Sequence, residues 1–269
     1  MTTQNEISKV LHVVSPIDVV LEIETRIHFL KTFIKERHGK AFVLGISGGI
    51  DSAVAGELAQ MACRELRDEG YPVMFIAMRL PYGVQRDELD AEAVLQYIKP
   101  DKIITTNIKA ASDAMLESLP EFTDPVKRDF HLGNIKARQR MIAQYAIAGA
   151  YGGMVIGTDH AAEAVMGFFT KHGDGACDLT PLSGLNKRQV RQVGGALGFP
   201  SELVFKTPTA DLEDLNPGKP DEDSYGVTYD EIDDFLEGKK ISEQSEQLII
   251  DQYNKTSHKR DVPADLYNY

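Results

Sequence analysis

Ala41-Phe42-Val43-Leu44-Gly45-Ile46-Ser47-Gly48-Gly49-Ile50-Asp51-Ser52 is the stretch that decides how the rest of the chain is read. Its first six residues form a short apolar run flanked by glycines, the pattern of a strand buried on both faces. From Ile50 to Leu66 the apolar residues return at helical spacing, so strand passes to helix through Ser47-Gly48-Gly49. Two adjacent glycines let backbone N–H groups converge with no Cβ in the way. The helix N-terminus behind them adds unpaired N–H groups and partial positive charge. Together they make a pocket for phosphate oxygens, to which Ser47 and Ser52 can donate hydroxyl hydrogen bonds. Asp51 is anionic and gains nothing from a bare phosphate, so it points to a bridging Mg2+, which takes carboxylate and phosphate oxygens together. A Walker A loop would need Lys-Ser or Lys-Thr after its last glycine, and a dinucleotide fingerprint would need GxGxxG; this stretch satisfies neither.

On both sides of the loop, strand and helix patterns alternate. The spacing predicts a helix over 17–35 before the loop. After it come a strand over 73–80, a helix over 87–98, a strand over 102–108 and a helix near 110–119. A long helix over about 125–150 leads to a strand at 154–157 and a short helix over 160–166, and further helices are expected over 187–197, 228–236 and 242–255. Strands separated by helices of this length imply right-handed crossovers and a mostly parallel sheet covered on both faces: a doubly wound α/β fold. Residues 1–15, polar and mixed, read as a flexible N-terminal tail, and 16–269 as a single domain. Loops near 81–87, 167–185 and 205–227 are candidate lids, the last two rich in Gly, Pro and Asp and long for compact-domain connections.

Composition narrows the partners. The 269 residues carry a formal net charge of −12, with a sequence pI near 5.1. That balance disfavours nucleic acid and favours small-molecule ligands, for which any anion must find locally concentrated Lys and Arg. The first thirty residues have charges scattered among their apolar positions and do not read as a signal peptide, and nothing approaches a membrane span. Cys63 and Cys177 lie far apart, without a metal or disulfide pattern. These features lead to the expectation of a cytoplasmic protein.

The pattern SGGxDS after a strand resembles the PP-loop of the N-type ATP pyrophosphatases, which cleave ATP between the α and β phosphates. Downstream stand Gly157-Thr158-Asp159-His160-Ala161-Ala162-Glu163, the lid sequence from Phe168 to Leu182 with Thr170-Lys171-His172-Gly173-Asp174-Gly175 inside it, Gly184 to Val190, Lys206 to Leu212, and His258-Lys259-Arg260. In this order they resemble ammonia-dependent NAD synthetase, from about Ile17 to Arg260. The resemblance implies an adenine nucleotide alpha hydrolase-like fold and a two-step reaction. The nicotinate carboxylate of deamido-NAD is adenylated by ATP with loss of pyrophosphate, and ammonia then displaces AMP. Carried over by position, Gly45, Ile46, Ser47, Gly48, Gly49, Ile50, Asp51 and Ser52 hold ATP, with Arg79 and Gln85 near the adenosine and Thr158, Lys187 and Thr209 as further ATP contacts. Asp51 and Glu163 hold Mg2+, and Asp51 and Lys187 are the catalytic pair. Arg138, Lys171, Asp178, His258 and Lys259 bind deamido-NAD.

Relatives that take ammonia from glutamine carry an extra amidase domain. Here the motif-bearing region fills the chain, so free ammonia is the expected nitrogen source. A tRNA thiolase would call for a basic surface and more cysteines, GMP synthetase would lack the Thr-Lys-His-Gly-Asp-Gly lid, and a passive nucleotide-binding module has no use for Asp51, Glu163 and Lys187 together. The helix over 125–150 has apolar residues on more than one narrow stripe, which, with the resemblance, leads to the expectation of a symmetric homodimer.

Overall fold

In the computed structural model, which describes residues 2–84, 88–119, 124–209, 215 and 218–267, the apolar run becomes β1 (Ala41–Gly45), at the interior of a four-stranded sheet. β2 (Met74–Arg79) pairs with it on one side and β4 (Gly153–Val155) on the other, while β3 (Lys102–Thr105) lies outside β2. Every pairing is parallel, with Val43 opposite both Ile76 and Val155. The order β3-β2-β1-β4 means that the chain builds outward from β1 in one direction and then returns to its other side. The expected doubly wound topology is therefore present.

Side chains alternate across β1. Phe42 and Leu44 enter one core with helices α2 (Val19–Glu36), α3 (Ile50–Asp68) and α8 (Lys187–Ala196). Ala41 and Val43 enter the other, beneath α6 (Pro125–Tyr151), on which α5 (Lys109–Glu117) packs in turn. Phe42, Val43, Phe75 and Ile76 are all fully buried, each contributing about 1.5–3 kcal/mol of transfer free energy. Helix α4 (Glu88–Ile98) closes the first core through Val94, Leu95 and Ile98. Local signals set the ends of the long helix: Asp124 caps α6 through the N–H groups of Val126 and Lys127, Pro125 occupies its first turn, and Gly152 ends it at φ 60°.

A satellite core joins α7 (Ala161–Met166), α11 (Tyr229–Leu236) and α12 (Glu243–Lys255). The expectation of a flexible tail over 1–15 is corrected here. Residues Gln4–Val10 form helix α1, whose Thr3 and Glu6 make a reciprocal capping box. Ile7 is completely buried in the satellite core, and the Gln4 amide donates to the carbonyls of Phe235 and Lys239 at 2.8 and 2.9 Å. The remaining helices are single turns or little more: α9 (Ser201–Val204), α10 (Asp221–Tyr225) and α13 (Ser257–Arg260). Among the described residues no helix is long and apolar enough to cross a membrane.

The loop over 167–185 is anchored at its far end. Arg26 of α2 donates to the carbonyls of Pro181 and Ser183. Nearer the sheet, the amide of Val155 donates to Asp178 Oδ2 at 2.7 Å, the amide of Asp178 to the carbonyl of Val155 at 2.9 Å, and the amide of Gly157 to the carbonyl of Leu179 at 2.8 Å. This stretch thus lies along β4 as one more short parallel rung.

Candidate active site

Where β1 and β4 diverge at their carboxyl ends, connections leave the sheet in opposite directions and a crevice opens, as it does in open α/β sheets generally. A cleft of about 470 Å3 lies there. Its floor is the loop from Gly45 to Ser52. Gly48 adopts φ +84°, and a Cβ on it would come within 2.8 Å of the Ala91 amide nitrogen, so glycine is required twice over. The two serines brace the loop: Ser52 Oγ accepts from the Ser47 amide at 3.2 Å, Ser47 Oγ accepts from the Gly49 amide at 3.3 Å, and the two hydroxyls lie 3.2 Å apart. Gln144 of α6 reaches in to accept the Gly45 amide at 2.8 Å. The N-cap of α3 is Gly49, which has no side chain with which to satisfy the helix N-terminus. Those N–H groups face the cleft with the partial positive charge suited to an anion.

Asp51, in the first turn of α3, meets Lys187, in the first turn of α8. Lys187 Nζ lies 2.9 and 2.7 Å from the two carboxylate oxygens, and its side chain is only 1% exposed. Its backbone is held as firmly. Asn186 and Gln189 form a capping box, and Asp233 of α11 accepts the amides of Lys187 and Arg188 at 3.0 and 2.7 Å. Nζ also stands 5.1 Å from the centre of the Tyr229 ring. Opposite Lys187, His160 Nε2 lies 3.5 Å from Asp51 Oδ1 and 3.7 Å from Glu163 Oε1. His160 is itself the N-cap of α7, with Nδ1 accepting the Glu163 amide.

Three carboxyl groups, Asp51, Asp159 and Glu163, are thereby half-buried within one small region. Burial alone would raise the Asp51 carboxyl, but the Lys187 and His160 charges outweigh it and hold the group well below the usual range. Glu163 goes the other way: burial, only partly offset by His160, pushes it up to about 8. Asp159 is pushed up to about 7 by burial and the neighbouring Asp174 charge. Carboxyl groups raised in this way are shielded from water without enough cationic partners to hold them ionised. A hard divalent cation would favour their ionised forms, and the ligating atoms of Asp51, His160 and Glu163 all lie within 4.8 Å of one another.

Of the other expected ATP contacts, Thr158 and Thr209 line the cleft with the loop residues. Arg79 is not among the lining residues: at the end of β2 it pairs with Glu88 at 2.8 Å and Glu92 at 3.3 Å on α4, one position before Leu80, which does line the cleft. Gln85 lies outside the described residues. The dinucleotide set divides. Arg138 of α6 donates to the Lys171 carbonyl at 3.3 Å, Lys171 Nζ donates to the His258 carbonyl, and Lys259 Nζ donates to the carbonyls of Gly167 and Phe169 at 2.7 and 2.8 Å. Four residues from three distant segments thus join at one loop, and Lys259 reaches the cleft wall. Asp178 is not among them, its carboxylate being engaged with the backbone of β4.

His160, Gln144, Asp174 and Asp233 received no role from the sequence. His160 and Glu163, three apart at a helix start, carried a signal; Gln144 carried none, because its contact with Gly45 spans 99 positions.

A family model described as NAD synthase matches residues 22–263, from α2 past the last helix. The chain belongs to the NAD synthase family. Among curated members, the NH3-dependent NAD+ synthetase of Streptomyces coelicolor is 57% identical over 97% of this chain and 96% of its own length. That of Stutzerimonas stutzeri is 55% identical over 97% and 98%. The crystal structure of NAD+ synthetase from Burkholderia pseudomallei superposes with a TM-score of 0.84 at 50% identity, covering 97% of this chain and 96% of that one. NMN synthetase from Francisella tularensis gives 0.82 at 36% identity, covering 93% and 99%.

Proposed function

We propose that the cleft joins ammonia to the nicotinate carboxylate of deamido-NAD at the expense of ATP, giving NAD, AMP and pyrophosphate. The chain is an NAD synthetase, a ligase that forms a C–N bond, and the observation that carries its assignment to this cleft is the uncapped start of α3 behind Gly48 and Gly49, with Asp51 and the buried Lys187 at its mouth. The loop N–H groups receive the ATP phosphates. A carboxylate oxygen of deamido-NAD attacks the α-phosphorus and pyrophosphate leaves; ammonia then attacks the acyl carbon, the C–O bond to AMP breaks, and the nitrogen loses a proton. Adenylation is needed because a carboxylate oxygen is otherwise too poor a leaving group.

Lys187 has the central electrostatic role. Its ammonium is desolvated and fixed from backbone to tip, so it meets charge developing on the phosphate oxygens without first reorganising. Asp51 and Glu163, with His160 beside them, are the residues that would hold Mg2+, which when bound supplies further positive charge to the phosphates. Thr158 and Thr209 border the nucleotide. Arg138, Lys171, His258 and Lys259 form the anion-receiving side for the dinucleotide, while Asp178 fixes the wall against which it lies.

A symmetric homodimer completes the reading. Helix α6 leaves Val126, Phe130 and Ile142 exposed, α5 leaves Met115 exposed and Leu119 just after it is exposed, apolar side chains that a partner protomer would cover. Phe130 also lines the cleft, which brings the substrate site to the edge of that surface. Light scattering at micromolar concentration is expected to give a dimer, and a monomer there would refute it.

The deciding test of function follows AMP release with Mg-ATP and ammonium. Deamido-NAD should support turnover, nicotinate mononucleotide and xanthosine monophosphate should not, and glutamine should fail to replace ammonium. AMP release of equal rate with either alternative acceptor would overturn the substrate assignment.

A further inference from the structure

Two lysines stand at the phosphate loop, and they are held in opposite ways. Lys187 is buried and bound to both oxygens of Asp51. Lys206, which follows α9 and begins the segment Lys206-Thr207-Pro208-Thr209 along the cleft wall, has its Nζ 2.6 Å from Asp90 Oδ2 in the first turn of α4. The same Nζ lies 3.5 Å from the carbonyl oxygen of Gly48. Its ammonium therefore already stands at the loop where a phosphate would sit, and it needs no large movement to reach one.

The Asp90 pairing is a weak hold. The Asp90 side chain is 50% exposed and that of Lys206 31%, and ion pairs so open to water contribute little net free energy. The pairing also places a cation beside the start of α4, where the helix dipole is positive. A polyphosphate carries more charge than one carboxylate and would arrive at the uncapped N-terminus of α3. We infer that Lys206 is a further phosphate-contacting residue of the ATP site, exchanging its ion pair with Asp90 for phosphate oxygens when the nucleotide enters. The inference rests on the reading of the cleft as an ATP site. Asp90 is then a competitor of the phosphate, and the two residues of one ion pair act on ATP in opposite directions.

The test is direct binding of Mg-ATP and of adenosine to the full chain by calorimetry, with no acceptor present. For Lys206→Met, Mg-ATP should bind about tenfold more weakly or worse, the loss of one charge-assisted hydrogen bond, while adenosine binds as to the parent. Lys206→Arg should recover most of the loss. Asp90→Asn should bind Mg-ATP as tightly as the parent or up to a few-fold more tightly, and the double variant should match Lys206→Met. Were the ion pair only a brace for the loop, Lys206→Met and Asp90→Asn would weaken Mg-ATP binding equally, and that result would overturn the inference, as would unchanged binding in Lys206→Met. Parent protein that bound no Mg-ATP would overturn the ATP reading of the cleft itself, and the inference with it.

Discussion

The two sides of the cleft are built on opposite principles. On the side proposed for ATP the charges around Asp51 are interlocked: Lys187 with both oxygens of Asp51, the amide of Lys187 with Asp233, and His160 between Asp51 and Glu163. On the side proposed for the dinucleotide, Arg138, Lys171 and Lys259 direct their charge to backbone carbonyls of neighbouring segments. The first arrangement fixes positions before substrate arrives, which suits groups that must meet charge developing in the reaction. The second leaves cations on carbonyls, neutral partners that an anionic dinucleotide can displace. Transition-state chemistry should therefore depend steeply on the first set, and affinity more gently on the second.

The most severe break in that contrast is at the interlocked pair. Asp51→Asn or Lys187→Met should lower kcat by about a thousandfold or more, the range for deleting a preorganised electrostatic contact, with a much smaller change in the KM for deamido-NAD. A loss confined to KM would place Lys187 among the merely affinity-setting cations. Next comes the floor of the loop. Gly48→Ala forces a side chain into a positive-φ conformation and against the Ala91 amide, a cost of about 1–2 kcal/mol from the backbone alone. Both the melting temperature and Mg-ATP affinity should fall; a variant that melted normally and bound Mg-ATP normally would contradict the tight-loop account.

On the other side, Arg138→Met and Lys171→Met should each raise the KM for deamido-NAD by about tenfold while leaving the KM for ATP and kcat near those of the parent. Equal effects on both substrates would erase the division of the cleft. The smallest expected effect lies further along α3. The Glu57 carboxyl is pushed up to about 7 by burial, against the pull of Arg64. It ionises near its ordinary 4.5 in the unfolded chain but only near 7 in the fold, so its contribution is most favourable below pH 4.5 and is lost as pH rises towards 7. Between pH 5 and 8 the parent should lose about 1–2 kcal/mol of stability relative to Glu57→Gln, a figure reduced for the solvent that reaches the group. Parallel stability curves for the two proteins would remove Glu57 as a pH-sensitive element.

The same contrast separates what could be read from the letters. Strand β1, the glycine loop and α3 are contiguous, and the steric demands of Gly48 and the periodicity of Ile50–Asp68 are local, so that region was legible outright. Lys187 and Asp51 lie 136 positions apart, and their meeting was reachable only through resemblance. Gln144 and Asp233 act through long-range contacts with backbone amides, which leave no mark in composition or spacing. The partners of Arg79 and Asp178 within the chain, Glu88 and Glu92 in one case and the Val155 amide in the other, were not legible either, because a ligand-binding pattern does not say what a side chain holds in the ligand's absence. Helix α1 was missed for a different reason. Seven residues are too few for periodicity to show, although Thr3 and Glu6 had the spacing of a capping box.

The backbone rung beside β4 has a consequence for how molecules of this protein can meet. A three-residue strand at the margin of a sheet ordinarily offers unpaired amides and carbonyls to any extended chain that drifts past. Here the Val155 amide is taken by a carboxylate, the Val155 carbonyl by the Asp178 amide and the Gly157 amide by Leu179, all from the segment that walls the cleft. At Val155 and Gly157 that margin therefore has no free group to offer an incoming strand. Asp178 thus fills, from within the same chain, the outward amide and carbonyl of Val155 that an added strand would need.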